Sequence, residues 1–224
     1  MQKLPLNFQI PTRGVESNGR TEFDDLLWEW CGIHERYGRL SNWNDVGWWY
    51  NERASVSLLA GAAGRAGAIT LEEYFTDPAQ TRRRPRKYKY VRQDLYLKIG
   101  HSHFVGEAKQ LWMWLPSQPA RLDRNLSASI DAAVNDAKAK DAHGAARVGV
   151  VFVVPYLELC SAAACDEALH QWYEMIQKFR CGAVAWVLPL RARRFPFSSR
   201  PNAKWKGELY PGCAIFLVRA RDWK

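Results

Sequence analysis

The fold is decided by residues 90–109, which read YVRQDLYLKIGHSHFVGEAK. Two runs rich in β-branched, aromatic and leucine side chains flank a short segment at residues 100–101, as in two strands joined by a tight turn. In a regular hairpin with that centre, Asp94 lies directly opposite Glu107, and opposed side chains have Cβ atoms about 5 Å apart. Because side chains alternate along a strand, Lys109 shares the face of Glu107. The sequence therefore predicts that two carboxylates and an amine converge.

The other face of the hairpin is predicted to be mostly apolar and suited to packing against helices. Its members are Leu95, Leu97, Phe104, Gly106 and Ala108. A slip of one residue in the turn centred on Gly100 and His101 would send Asp94 to this apolar face. The predicted site therefore depends on the register of the hairpin.

Two carboxylates this close repel each other unless a cation lies between them. The arrangement favours Mg²⁺ or Mn²⁺, which bind oxygen ligands. The alternative is an ordinary surface ion pair between Lys109 and the acids, because acid-x-Lys triplets are common at ordinary composition. Two more such triplets occur, at residues 136–138 and 222–224. Neither follows a hairpin partner with an opposed acid, so both are set aside.

Length and composition bound the class of protein. A chain of 224 residues can bury a substantial core. We expect an N-terminal arm over residues 1–20 and a single domain over residues 21–224, with its core near residues 46–188 and a C-terminal extension over residues 189–224. The net charge of +9 favours a polyanionic partner such as nucleic acid. An anionic membrane is the less favoured partner, because no apolar run is long enough to span a bilayer.

Cysteine usage indicates the compartment and leaves one rival site. Five scattered cysteines, together with the lack of a secretory signal, predict reduced thiols in a cytoplasmic protein. Cys160, Cys165 and His170 could be imagined as zinc ligands, but no second pair completes a site with standard spacing. Glycines at residues 61, 64 and 67 resemble a phosphate-binding loop only superficially, because they follow a helical pattern rather than a strand.

Hydrophobic periodicity predicts alternating helices and strands around the hairpin. Helical spacing covers residues 23–38, 46–63 and 169–179, and a further helix that starts near residue 126 is expected to stop near residues 143–144. Strand-like runs cover residues 68–75, 148–154, 183–188 and 214–218. This order is typical of an α/β sandwich with a mixed sheet.

The pattern resembles the PD-(D/E)xK nucleases, the restriction-endonuclease-like superfamily. Glu52 matches the helical acid of that family, Asp94 its metal-binding aspartate, and residues 107–109 its Glu-x-Lys triplet, while Gln110 matches a residue often found after the lysine. The resemblance spans roughly residues 46–188. It implies a restriction-endonuclease-like α/β/α sandwich, with a central mixed β-sheet flanked by helices. The chain departs from the family pattern in having glutamine rather than proline before the aspartate.

The resemblance also implies a mechanism. Asp94, Glu107 and the carbonyl of Ala108 would hold Mg²⁺ or Mn²⁺, with Glu52 as a ligand directly or through water. Such an ion polarises a phosphate and activates water. Lys109 would orient or help to deprotonate that water and stabilise developing negative charge. The alternative for Glu52 is a partly exposed helix glutamate without a role in catalysis.

Metal-dependent hydrolysis of phosphodiester bonds in DNA is therefore the expected function, with Gln110 beside the catalytic group. The alternative is a catalytically silent nuclease-fold protein that binds nucleic acid or a protein partner as a structural or regulatory subunit. Because every charged position of the motif is filled, the enzyme is favoured. Whether the chain forms a homodimer or binds a protein partner stays open.

Two basic segments are candidates for contacting phosphates. The first is a loop that carries Arg82, Arg83, Arg84, Arg86, Lys87 and Lys89, and the second is the run at residues 191–194. Contacts from these side chains would be sensitive to salt and independent of base sequence. A solvated charged loop is the alternative. His101 and His103 are expected to be solvated turn residues, and Glu72 and Glu73 to lie on a solvated edge.

Overall fold

The computed structural model describes residues 10–17, 21–76, 91–140, 142, 144–158, 162–179, 182–189 and 208–223. Within this part of the chain, one mixed sheet of eight strands is flanked by four helices. The strands are β1 (Arg13–Ser17), β2 (Ile69–Thr76), β3 (Val91–Ile99), β4 (Ser102–Trp114), β5 (Ala146–Glu158), β6 (Ala183–Val187), β7 (Glu208–Leu209) and β8 (Cys213–Arg219). The helices are α1 (Asp24–Leu40), α2 (Glu52–Arg65), α3 (Pro119–Ala139) and α4 (Ala162–Lys178).

The strand order is β1-β6-β8-β5-β4-β3-β2, with β7 pairing to β5. Strands β4 and β5 are parallel and are joined by α3, as a parallel pair requires a long crossover. The other pairs are antiparallel. The predicted α/β class with a mixed central sheet flanked by helices is confirmed.

The two faces of the sheet bury separate cores. Helices α1 and α2 cover one face, where Leu27, Trp30 and Leu59 pack against side chains that include Leu97 and Val150. Helices α3 and α4 cover the other face. Strand β5 sends alternate residues to the two cores, because its apolar run is continuous and a strand alternates its side chains. The sheet is therefore the middle layer of three.

The helix predicted over residues 46–63 is wrong in its first part. A short 3₁₀ turn, Gly47–Trp49, is followed by extended backbone at Tyr50 and Asn51. Helix α2 begins only at Glu52, where the side chain of Asn51 accepts a hydrogen bond from the backbone N–H of Ala54 at 3.1 Å. Asparagine at this position satisfies an otherwise unpaired helical N–H, which fixes the start of the helix.

The N-terminal arm predicted over residues 1–20 contains a strand. Arg13–Ser17 pairs antiparallel with β6 and forms one edge of the sheet. Gly14 allows the ring of Trp186 to pack against the backbone of β1, since a Cβ at Gly14 would lie 2.2 Å from that ring. Composition did not predict this strand because its partner lies far along the chain.

Among the helices of the described segments, none is both long enough and apolar enough to cross a membrane. Cys31 and Cys213 are buried as thiols, and burial raises the pKa of Cys31 to about 12. Cys160, which was considered as a zinc ligand, lies outside the described residues.

Candidate active site

The hairpin of β3 and β4 has the predicted register. Its pairs run from Ile99↔Ser102 at the turn to Leu95↔Gly106. Gly100 adopts a φ of +58°, a value that favours glycine and suits the first central position of a two-residue hairpin turn. The register is therefore not slipped, and its next position places Asp94 opposite Glu107.

Regular pairing stops on both sides of Asp94. Toward β4, the ladder ends one position before Asp94, whereas β4 continues beside β5 as far as Trp114↔Tyr156. Toward β2, the ladder passes over the position opposite Asp94, where Glu73 has a φ of +47°. A left-handed backbone costs a non-glycine residue on the order of 1 kcal/mol or more, and such strain is concentrated at functional sites. Asp94 thus occupies a local opening in the sheet.

Two carboxylates accept hydrogen bonds from backbone N–H groups of β4 within this opening. Asp94 Oδ2 accepts a hydrogen bond from the backbone N–H of Ala108 at 3.0 Å. Glu52 Oε2 accepts one from the backbone N–H of Gln110, also at 3.0 Å. The N–H and C=O of one strand residue point to the same neighbour, so the carbonyl of Ala108 faces the side of Asp94. Asp94, Glu52 and Ala108 are therefore brought together as the sequence predicted.

Glu52 is the first residue of α2 rather than part of its interior. The N-terminal end of a helix carries partial positive charge, which favours a carboxylate there. Burial and the nearby charge of Asp94 nevertheless raise the pKa of Glu52, while Lys109 and the N–H of Gln110 act to lower it. The Gln110 side chain donates to the carbonyl of Tyr50 at 2.7 Å. Gln110 therefore ties β4 to the start of α2.

Glu107 is the most enclosed of the three acids, at 5% exposure. Its Oε1 lies 3.2 Å from Lys140 Nζ, at ion-pair distance. The same ammonium donates to the carbonyl of Arg92 at 2.7 Å, and no described group gives Glu107 Oε1 a contact with hydrogen-bond geometry. Burial, followed by the charge of Asp94, raises the pKa of Glu107, and the Lys140 charge opposes that rise. A buried carboxylate here is only partly compensated.

Lys109 forms its closest contact with a residue that sequence reasoning set aside. Its Nζ lies 2.6 Å from Asp136 Oδ2 on α3, so the predicted convergence of the amine on the hairpin acids is only indirect. Partial burial acts to lower the pKa of Lys109. The hydrogen bond and charge of Asp136, with Glu52 and Asp94, outweigh burial and raise that pKa. Lys109 is therefore held as a cation, with Asp136 as its nearest counter-charge.

Two residues that sequence reasoning did not assign to the site are Asp136 on α3 and Lys140, which directly follows the end of α3. They lie four positions apart, and they contact Lys109 and Glu107, which share a strand face. Opposite charges therefore meet in two pairs across the interface. The signal in the sequence was an acid and a lysine close together on β4, followed by another acid and lysine, Asp136 and Lys140, at the end of α3.

The close approach of α3 depends on Gly149 of β5. Gly149 is the register partner of Glu107. A Cβ at Gly149 would lie 2.8 Å from a side-chain methyl of Val134 and 3.0 Å from its backbone nitrogen. Only a residue without a side chain lets the helix backbone approach this closely, which sets the height of α3 above the acids.

The donor set suits a hard divalent cation in part. In the part of the chain that the structure describes, no three His, Cys, Asp or Glu side chains stand together as a ready ligand group. Mg²⁺ commonly uses only one or two carboxylates and keeps several waters. Asp94 and Glu107 could supply these carboxylates, because the hairpin register places them opposite each other and because burial, together with the charge of Asp94, raises the pKa of Glu107. The residues present therefore fit a water-rich magnesium or manganese site.

A cavity of about 700 Å³ lies at the turn end of the hairpin, away from the acids. Its wall includes His101, His103, Tyr96 and Arg219. His103 Nδ1 forms a hydrogen bond with the hydroxyl of Tyr96 at 2.6 Å. Both histidines are exposed and sit at the turn, as predicted.

Glu72 and Glu73 lie on β2, the edge strand of the sheet on this side. Glu72 accepts a hydrogen bond from Ser57 at 2.6 Å. Glu73 pairs with Arg53 and lies 3.8 Å from Arg92. Both glutamates are thus engaged by neighbouring side chains at the edge.

The basic loop with Arg82, Arg83, Arg84, Arg86, Lys87 and Lys89 lies outside the described residues, as does the run at residues 191–194. Their predicted contacts with phosphates stay predictions.

Comparison with known proteins gives no assignment. No protein-family model, no curated protein and no solved structure matches this chain. The resemblance to PD-(D/E)xK nucleases therefore rests on the motif residues of the sequence.

Proposed function

We propose that this protein is a metal-dependent nuclease that hydrolyses phosphodiester bonds in DNA. The observation that carries the proposal is the opening in the sheet at Asp94. There, the carboxylates of Asp94 and Glu52 accept hydrogen bonds from the backbone N–H groups of Ala108 and Gln110 on β4. Glu107 lies opposite Asp94 in the register of the hairpin. Burial and the charge of Asp94 raise the pKa values of both Glu52 and Glu107, an arrangement that is costly for stability alone. Such a cost is expected where charge is used for chemistry.

In this proposal, Asp94, Glu107 and the carbonyl of Ala108 hold Mg²⁺ or Mn²⁺, and Glu52 contributes through water. The bound ion supplies polarisation of the phosphate and activation of a water. Lys109, held as a cation by Asp136, stabilises negative charge that develops on the phosphate oxygens. Asp94 is fixed by its bond to Ala108, so its carboxylate is positioned before substrate arrives.

The net charge of +9 supports nucleic acid as the substrate class. Positive charge favours DNA and RNA alike, so the choice of DNA comes from the family resemblance. We place the protein in the cytoplasm on its cysteine usage. A homodimer or a protein partner is compatible with this site.

One observation favours the alternative of a nuclease-fold protein that binds without cutting. Glu107 and Lys109 already form ion pairs, with Lys140 and Asp136 respectively. A protein that has lost catalysis could use these pairs purely for stability. The two functions differ in what they require of metal, because binding to a phosphate backbone needs no divalent ion.

The test incubates purified protein with supercoiled, linear and single-stranded DNA and with RNA, in Mg²⁺, Mn²⁺ or chelator. We expect cleavage of DNA in either metal, no cleavage in chelator, and loss of cleavage in Glu107→Gln. Binding of DNA without cleavage in any metal would support the silent alternative. A protein that neither binds nor cleaves any of these nucleic acids would refute the nuclease and the nucleic-acid-binding form of the alternative.

A further inference from the structure

Lys140 joins the two strands that border the opening in the sheet. Its ammonium donates to the carbonyl of Arg92 on β3 and pairs with the Glu107 carboxylate on β4. Its side chain is 18% exposed and that of Glu107 is 6% exposed. The lysine therefore spans the opening beside the acids. Its ammonium lies close to the position that a metal ion bound by Glu107 would occupy.

A buried carboxylate requires a compensating charge, and removing its partner is strongly destabilising. Lys140 is the described cation in contact with Glu107. A divalent ion bound by Glu107 would repel an ammonium within a few ångströms, because like charges interact strongly in a partly desolvated site. Lysine is well suited to leave, since its charge sits on a flexible four-carbon stem. Lys140 also follows the last residue of α3, where the chain leaves the helix.

We propose that Lys140 is a resident counter-ion of Glu107 that a divalent cation displaces on binding. The inference rests on the proposed function, because it takes Glu107 to be a metal ligand. In the metal-free protein, Lys140 neutralises the buried acid and holds β3 to β4. On metal binding, its ammonium leaves both Glu107 and the carbonyl of Arg92, and the opening becomes accessible to a phosphate.

The first test measures Mn²⁺ affinity by isothermal titration calorimetry in the wild type, Lys140→Met and Lys138→Met. Lys138 is the matched control, since it is exposed on the same last turn of α3. Removing a competing cation should tighten Mn²⁺ binding by roughly tenfold in Lys140→Met, as is typical of coupled sites. Lys138→Met should bind as the wild type does, and Glu107→Gln should lose the site.

The second test needs no variant and so is independent of any folding defect. Amines of the wild type are acetylated briefly in Mn²⁺ or in chelator, and the rate at each lysine is read by peptide mass spectrometry. We expect Lys140 to react several-fold faster in Mn²⁺, while the rate at Lys138 stays unchanged.

The outcomes separate the two proposals. Mn²⁺ binding that is equal or weaker in Lys140→Met would overturn the counter-ion role and leave the proposed nuclease standing. The same holds if wild-type Mn²⁺ binding is accompanied by no change in Lys140 acetylation. Absence of Mn²⁺ binding in both the wild type and Lys140→Met would refute the metal site, and the counter-ion role with it.

Discussion

The two faces of the β3–β4 hairpin arise from one alternating sequence but are stabilised in opposite ways. Leu95, Leu97 and Phe104 face α1 and α2 and are at most 2% exposed. On the other face, Lys109 meets Asp136 on α3, and Glu107 meets Lys140, which follows α3. Apolar burial stabilises the first face without specific partners, whereas the second needs a counter-charge at each position. Stability and the proposed chemistry are thus divided between the two sides of the same strands.

The largest effect on stability is expected on the apolar face. Phe104 is 2% exposed, and its ring centroid lies 4.8 Å from that of Phe23 on the approach to α1. Phe104→Ala should lower the free energy of unfolding by about 3–5 kcal/mol. Denaturant titration measures this loss. Ser102→Ala, an exposed change in the same strand, should cost less than about 0.5 kcal/mol, and an equal loss in both variants would contradict the division between faces.

On the charged face, the largest expected effect is on catalysis. Lys109→Met removes the cation that is placed to stabilise developing charge, and loss of one such group typically costs about 100-fold or more in rate. The cleavage rate should fall accordingly, while the midpoint of denaturant unfolding changes little. Lys98→Met, which alters a lysine nearer the turn of the same hairpin, should cleave at the wild-type rate. Equal rates for Lys109→Met and the wild type would remove Lys109 from the mechanism.

The position of α3 above the charged face can be tested at Gly149. A Cβ there would press on Val134 at 2.8 Å, so Gly149→Ala should cost about 1–3 kcal/mol through overpacking. The shift of α3 should also weaken the contacts of Asp136 and Lys140, and so reduce cleavage. Gly64→Ala is the control, since a Cβ at Gly64 meets no other group within 4 Å. A stable and fully active Gly149→Ala protein would show that α3 can occupy another position.

A pH-dependent effect is expected at His34, which is buried beneath the apolar face. His34 is 2% exposed, and burial lowers its pKa from 6.5 to about 3. As pH falls, the unfolded chain takes up a proton near pH 6.5 before the folded protein does. The free energy of unfolding should therefore decrease between these two pH values, by at most about 1.4 kcal/mol per unit.

Denaturant unfolding of the wild type and His34→Gln across that pH interval measures the effect. The variant should show a shallower decrease, because it no longer carries the titrating group. His101→Gln, at the exposed turn, should follow the wild type. A decrease of the same steepness in His34→Gln would assign the acid sensitivity to other groups.

Much of the apolar face was predictable from sequence, because a glycine at the turn and alternating side chains fix the register locally. Gly100 and the apolar residues on either side specify the register without knowledge of distant contacts. The same local pattern placed Asp94 opposite Glu107. The start of α2 was not predictable in this way. The apolar spacing of Trp48 and Trp49 continues the helical pattern, but the cap at Asn51 sets the boundary.

The partners on the charged face could not be predicted from the hairpin alone. Asp136 and Lys140 reach β4 because Gly149, more than forty positions after the turn of the hairpin, admits the backbone of α3. This is a contact between elements, and alternation within one element carries no information about it. Strand β1 was missed for the same reason, since its pairing with β6 joins opposite ends of the chain.

The proposed function depends most directly on Asp94, which lies at the opening in the sheet. The measurement is the rate of Mn²⁺-dependent cleavage of supercoiled DNA by the wild type, Asp94→Asn and the exposed helix variant Asp123→Asn. Loss of a residue that only supports a metal ligand already costs about 10–100-fold, so Asp94→Asn should cleave more than about 100-fold slower. Asp123→Asn should match the wild type. Cleavage by Asp94→Asn at the wild-type rate would contradict a catalytic site at this opening.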